Sequence, residues 1–188
     1  MTLRFNEKKA TQAAARLLKR RGQGNMMSYM KLIKLLYFAD REALLRWGSP
    51  ITTDAYFAMQ RGPVLSRVHD LVTEGASPTE AHFWEEHIQQ CGDHEVRLVN
   101  DPSNGELSEI EEEMLDEIFA RYGNLSRWDI VEEAHKLPEW KDKHKQGTAI
   151  PIDISDILRA GQKTPRDIEA ISKELEATEH VHCLFASL

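Results

Sequence analysis

The stretch between Ser28 and Gly48 constrains this chain most. Ser28 is an N-cap type and Gly48 a residue that ends helices, so a helix is predicted between them. Its apolar residues are Tyr29, Met30, Leu32, Ile33, Leu35, Leu36, Tyr37, Phe38, Ala39, Ala43, Leu44, Leu45 and Trp47. Lys31, Lys34, Asp40, Arg41, Glu42 and Arg46 interrupt them. A helix that is apolar nearly all round is covered by neighbours on several sides. It is too short and too charged to span a bilayer. It is therefore read as the central helix of the fold, with Tyr37, Phe38 and Trp47 among its core side chains.

The remaining composition agrees with a packed domain. Of 188 residues, 41% are hydrophobic and 29% charged, which excludes wholesale disorder and is expected to form a single domain over residues 1–188. No apolar run approaches the roughly 18 residues of a membrane span, and no apolar segment of a secretory signal follows the N-terminus. Cys91 and Cys183 are far apart and give no disulfide framework, so a cytoplasmic compartment is expected. The net charge of −7 argues against a general nucleic-acid binder. That charge is uneven. Residues 1–21 hold seven basic side chains against Glu7 alone, whereas Glu106 to Glu117 is strongly acidic. Both patches read as solvated helix faces, the acidic one alternatively as a surface for a basic partner.

The predicted fold class is α+β, mainly α, with a small antiparallel β element made of a hairpin and a short strand. Asn6 caps a first helix over 6–21, whose basic face is expected to meet solvent. Residues 54–60 read as a short strand, after which Gly62-Pro63 is expected to open a third helix with proline in its first turn. Phe83 to Gln89 and Glu95 to Val99 flank Cys91-Gly-Asp93 as hairpin arms. Ser108-Glu-Ile-Glu111 is a capping box that opens a helix ending at Gly123. Ser126 caps another to about His135, with Pro138 just beyond as a stop. Two helices over 153–182 follow.

Four segments in order carry a resemblance. Tyr29-Met-Lys-Leu-Ile-Lys-Leu-Leu-Tyr-Phe-Ala-Asp40 with Trp47-Gly-Ser-Pro-Ile, then Ala58-Met-Gln-Arg-Gly-Pro63-Val, then Leu107-Ser-Glu-Ile-Glu111, then His135-Lys-Leu-Pro-Glu-Trp140 resemble the Panacea domain of SocA-like antitoxins. The likeness covers about residues 28–140 and leaves both ends as flanks. It implies one half of a bacterial or prophage toxin–antitoxin pair. Such a protein neutralises a cognate toxin by direct protein contact, and some relatives deliver the toxin to a protease. The resemblance carries over no catalytic residue, no cofactor and no metal.

Several constellations bear on chemistry. Arg61-Gly62-Pro63 would make an anion-binding corner if Val64 and Leu65 began a helix, suited to a partner carboxylate or a phosphate; the plainer reading is a turn that needs glycine. His135 is placed to hydrogen-bond the turn before Pro138, and Trp140 to bury its ring against the central helix. Arg61, Gly62, Pro63, His135 and Glu139 are the residues expected at a partner surface. Glu139-Trp-Lys141 could hold a metal in a nuclease only if set on a strand, and here a helix end precedes it. His82, His87, Cys91 and His94 are zinc-ligand types at spacings that match no zinc signature, and His180, His182 and Cys183 form a weaker cluster. These leave two alternatives to an antitoxin: a metal-dependent hydrolase or nuclease, and a DNA-binding regulator acting through the basic first helix.

Overall fold

A computed structural model describes residues 3–74 and 83–185 of the chain. Helix α1 (Glu7–Arg21) begins where the Asn6 carboxamide accepts the Lys9 N–H. A turn of 3-10 helix leads to strand β1 (Met26–Ser28), which runs straight into α2 (Tyr29–Trp47). The helix starts where expected, but the Ser28 hydroxyl makes no capping bond and has no partner among the described residues. The Tyr29 N–H donates to the His94 carbonyl instead. Gly48 closes α2 in the left-handed conformation, at φ 82°.

Strands β2 (Tyr56–Met59) and β3 (Gly62–Leu65) form a tight antiparallel pair. Gly62-Pro63 therefore opens a strand, not a helix, and α3 (Ser66–Thr73) starts three residues later than proline chemistry suggested. The strand tolerates Pro63 because β3 is the edge of its sheet, where a missing donor costs little. The Val64 and Leu65 amides belong to that strand, so the anion corner built on them does not exist. The first turn of α3 is capped from inside: Asp54 accepts the Arg67 and Val68 amides at 2.9 and 3.0 Å.

After the undescribed segment, Phe83–His87 form a helix, α4, where a hairpin arm was expected. The hairpin is shorter, β4 (Ile88–Cys91) with β5 (Glu95–Leu98), and β1 adds to it in the order β1-β5-β4. Helix α5 (Glu109–Tyr122) carries the predicted Ser108–Glu111 capping box, and α6 (Arg127–His135) follows from the Ser126 cap. Pro138 is the first residue of a further short helix, α7 (Pro138–Lys141), not a stop. Strand β6 (Ile150–Ile152) joins the second sheet as β3-β2-β6. Helices α8 (Ile154–Ala160) and α9 (Pro165–Phe185) complete the order. The architecture is mainly α within α+β, with two three-stranded antiparallel sheets instead of one hairpin and a lone strand.

Helix α2 is the central element. It packs against α1, α5, α6, α8 and β3. Leu32, Leu35, Leu36, Tyr37 and Leu44 are wholly buried, Phe38 is nearly so, and Trp47 lies at the core's margin. One continuous apolar cluster extends from Ala10 of α1 to Leu175 of α9.

The basic face of α1 is only partly given to solvent: Lys8, Lys19 and Arg20 are exposed, yet most of its charges are paired. Arg16 forks onto Glu112 and Asp116 at 2.6 and 2.8 Å, and Arg20 meets Asp116 as well. Lys9 pairs with Glu111 at 2.7 Å, and Lys19 with Asp101 at 2.6 Å. The two charged patches of the sequence are thus halves of one interface between α1 and the start of α5. That arrangement occupies much of the face a DNA-binding reading requires.

Candidate interaction site

The charges that interrupt α2 organise the site. Lys31, Lys34, Tyr37 and Asp40 recur at every third position, and each fastens the helix to a different neighbour. Lys31 donates to the Gly123 and Leu125 carbonyls at 2.6 Å, neutralising the negative end of α5. Lys34, 1% exposed, donates to the Pro63 carbonyl at 2.6 Å. Tyr37 donates to Glu139 at 3.2 Å, where Arg41 also binds at 2.7 Å. Asp40, fully buried, accepts the Ile51 and Thr52 amides at 2.9 Å, the Thr52 hydroxyl, and the Tyr56 hydroxyl at 3.0 Å.

Lys34, Asp40 and Tyr37 titrate abnormally, chiefly through loss of water. Burial pulls the Lys34 ammonium down to about 7. It pushes the Asp40 carboxyl up to about 6, against four hydrogen bonds that favour the charged form. Asp54, under its α3 cap, is likewise raised to about 6 by burial. Tyr37 and Tyr56, packed edge to face at 5.5 Å, are held protonated well above their ordinary value.

The structure brings the predicted surface residues to one side of the fold but does not expose them equally. Arg61 is exposed, whereas Gly62 and Pro63 are buried behind it. Glu139 is 1% exposed and turned inward to Arg41 and Tyr37; one of its oxygens is buried without a partner. It lies on a helix, away from the strand setting a nuclease carboxylate needs. His135 stacks on Trp140 at 4.2 Å, and His144 also stacks on it at 4.4 Å. The Trp140 indole N–H donates to the Met59 carbonyl at 2.9 Å, tying α7 to β2. Burial lowers the His135 pKa, and the charge of Lys34 adds to the effect.

The hairpin side chains take other roles. His87 bonds the Phe83 carbonyl at 2.8 Å and packs on that ring; His94 lies against Tyr29. His82, and the side chains of His182 and Cys183, lie outside the described residues. Among the described residues no group of three or more His, Cys, Asp or Glu side chains converges on a possible metal position.

Beside the buried row, the surface opens into a cavity of about 260 Å³ lined by Tyr29, Met30, Lys34, Gln60, Arg61 and His69, among others. Trp128, next to the lining residue Arg61, is 50% exposed. The Arg61 guanidinium lies 5.5 Å from the Trp128 ring and that of Arg127 lies 5.1 Å away. Sequence reading passed over Lys34, Asp40 and Trp128. The available signal was the charge within an otherwise apolar helix, which marks a buried polar group with a fixed partner.

This is a helical scaffold whose recurring segments lock into one another around a buried helix and carry an arginine-flanked tryptophan outside. Residues 32–141 match the family described as antitoxin SocA-like, Panacea domain, and the chain belongs to that family. Comparison with curated proteins and comparison with solved structures each found no match. Among the described residues no helix is long and apolar enough to cross a membrane.

Proposed function

We propose that this chain is a cytoplasmic antitoxin that neutralises a cognate toxin by binding it and covering its working surface. The observation that carries this reading is the family match over residues 32–141. The match spans most of α2 together with β3, α5 and α6, which pack against it; α1 and α8 also pack against α2 and lie in the flanks. The flanks share their apolar cluster, so the whole chain is taken to act as one domain. In this reading the protein contributes contact and no reaction step. Its motif residues hold the scaffold, while the exposed side chains around them choose the partner.

The test is co-expression. A toxin that arrests growth alone should permit growth beside this protein, and the two should co-elute from a sizing column. Persistent arrest without a complex, across the candidate toxins tried, rejects the reading. An immunoblot for the toxin separates covering from delivery to a protease, since only delivery lowers toxin abundance.

A further inference from the structure

We propose that the cavity between α2 and the β2–β3 turn, with Trp128 next to its lining residue Arg61, is the toxin-docking point and takes a carboxylate side chain of the toxin flanked by an apolar contact. The proposal rests on the antitoxin reading and goes further by naming the surface and the chemistry it selects.

The first argument is charge. The whole chain is acidic at −7. Yet this cavity's walls carry Lys34, Arg61 and His69, and no carboxylate among the described residues lines them. Asp70 is the nearest acidic neighbour of His69, 3.7 Å from its ring, and it is not part of the lining. Arg127 adds a further cation beside Trp128. A local cationic site on an acidic protein attracts an acidic segment and discriminates against basic ones.

Donor geometry is the second argument. As an ammonium Lys34 has three donors, of which Pro63 takes one. Among the described residues no carboxylate lies within ion-pair distance of Lys34, so its charge is buried without a counter-ion. A carboxylate entering the cavity supplies that counter-ion and favours the charged form that burial alone opposes. Arg61 reaches both places, lining the cavity while lying over Trp128, and its planar fork suits a bidentate carboxylate.

The third argument is residue type. Truncation energies at protein interfaces concentrate in tryptophan and arginine. Trp128, half exposed with two guanidiniums close to its ring, offers a large, flat apolar surface. Such an anchor loses little conformational freedom on binding.

The experiment uses the toxin identified by the rescue assay, with the full-length protein. Arg61→Glu and Trp128→Ala should each weaken toxin binding by about thirtyfold or more, a hot-spot-sized loss. They should also fail to restore growth, while their thermal unfolding stays close to wild type. Lys173→Glu, on α9 outside this surface, should bind as wild type does. An acidic-to-basic change at the contacting toxin residue should restore binding to Arg61→Glu. If the wild-type chain rescues growth and both variants bind equally well, the docking surface is elsewhere. If only Trp128→Ala weakens binding and Arg61→Glu does not, the carboxylate assignment is wrong. If the wild-type chain binds no toxin, the antitoxin reading falls and takes this site with it.

Discussion

Gly62 leaves open the space that the Lys34 side chain fills. A Cβ at position 62 would stand 3.1 Å from Lys34 Cε and 3.3 Å from its Nζ, with Ala134 Cβ at 3.1 Å on another side. The backbone there has φ +97°, which side-chain-bearing residues rarely adopt. The Gly-Pro of one segment and the lysine of another are therefore one structural device. The glycine admits the amine, and the adjacent proline carbonyl receives it.

Gly62→Ala should destabilise the fold by about 1–3 kcal/mol, combining backbone strain with crowding. Pairing it with Lys34→Met should show non-additive stability changes, because the two positions touch. Urea unfolding of the single and double variants measures both. Strict additivity would mean that the contact between positions 62 and 34 is energetically idle.

Lys34 makes stability depend on pH in a definite direction. Its pKa is about 7 when folded, against an ordinary 10.5. Below about 7 both states hold the proton, and the full cost of burying the charge is present. Between about 7 and 10.5 only the unfolded chain keeps it, so stability rises with pH, by at most about 1.4 kcal/mol per pH unit. Lys34→Met should flatten that rise and unfold at higher urea than wild type at pH 7. Parallel curves for the two proteins between pH 7 and 9.5 would contradict this.

Asp40 should be among the least replaceable side chains. Asp40→Ala strands two amides and two hydroxyls in the interior and should cost about 3–5 kcal/mol. The pH effect of the carboxyl has the opposite sense to that of Lys34. With a folded pKa of about 6 against an ordinary 3.8, the folded state holds more protons between those values. Stability from this group is full below about 3.8 and is lost as pH rises through 6. Asp54 contributes in the same window. Asp40→Asn should reduce the slope of the unfolding midpoint between pH 4 and 6 by comparison with wild type.

The α1–α5 ion pairs predict a salt effect. Asp116→Asn should cost up to about 1 kcal/mol at low salt and less in molar NaCl, where screening acts within about 3 Å. Reversing Lys19 and Arg20 should likewise lower the melting temperature, since both hold carboxylates.

Two tryptophans should behave differently. Trp140 is 8% exposed and bonded through its indole, so Trp140→Ala should cost about 3–5 kcal/mol. Trp128 is half exposed, and Trp128→Ala should stay within about 0.5 kcal/mol of wild type. Chemical denaturation of the pair separates a structural tryptophan from one kept for its surface.

Helix ends were legible because capping is local. Asn6, Gly48, the Ser108–Glu111 box and Ser126 each act within a few residues, and the structure places a helix boundary at each. The central position of α2 was equally readable, since a helix apolar on all sides must be covered. Strand content was legible only in part: the strand within 54–60 and the hairpin about Gly92 are present as β2 and β4–β5, whereas β1, β3 and β6 were not read. Segments β1 and β6 are three residues long, and their edges are defined by partners distant in the chain, whereas the four-residue β3 pairs with its neighbour β2. Local rules for Gly-Pro favoured a helix start, and pairing with Tyr56–Met59 overrode them.

The sequence by itself determined which helix lies at the centre, where the other main helices begin, and which ordered segments mark the family. Tertiary structure alone decided what the charged residues do. A lysine reads the same whether it faces water or a carbonyl, and its partner is chosen by chain packing. Lys34 finds Pro63 across 29 positions, Tyr37 finds Glu139 across 102, and Arg16 finds Asp116 across 100. Those distances in sequence vanish only when the apolar cluster closes, so the polar wiring and the surface beside it are properties of the folded molecule.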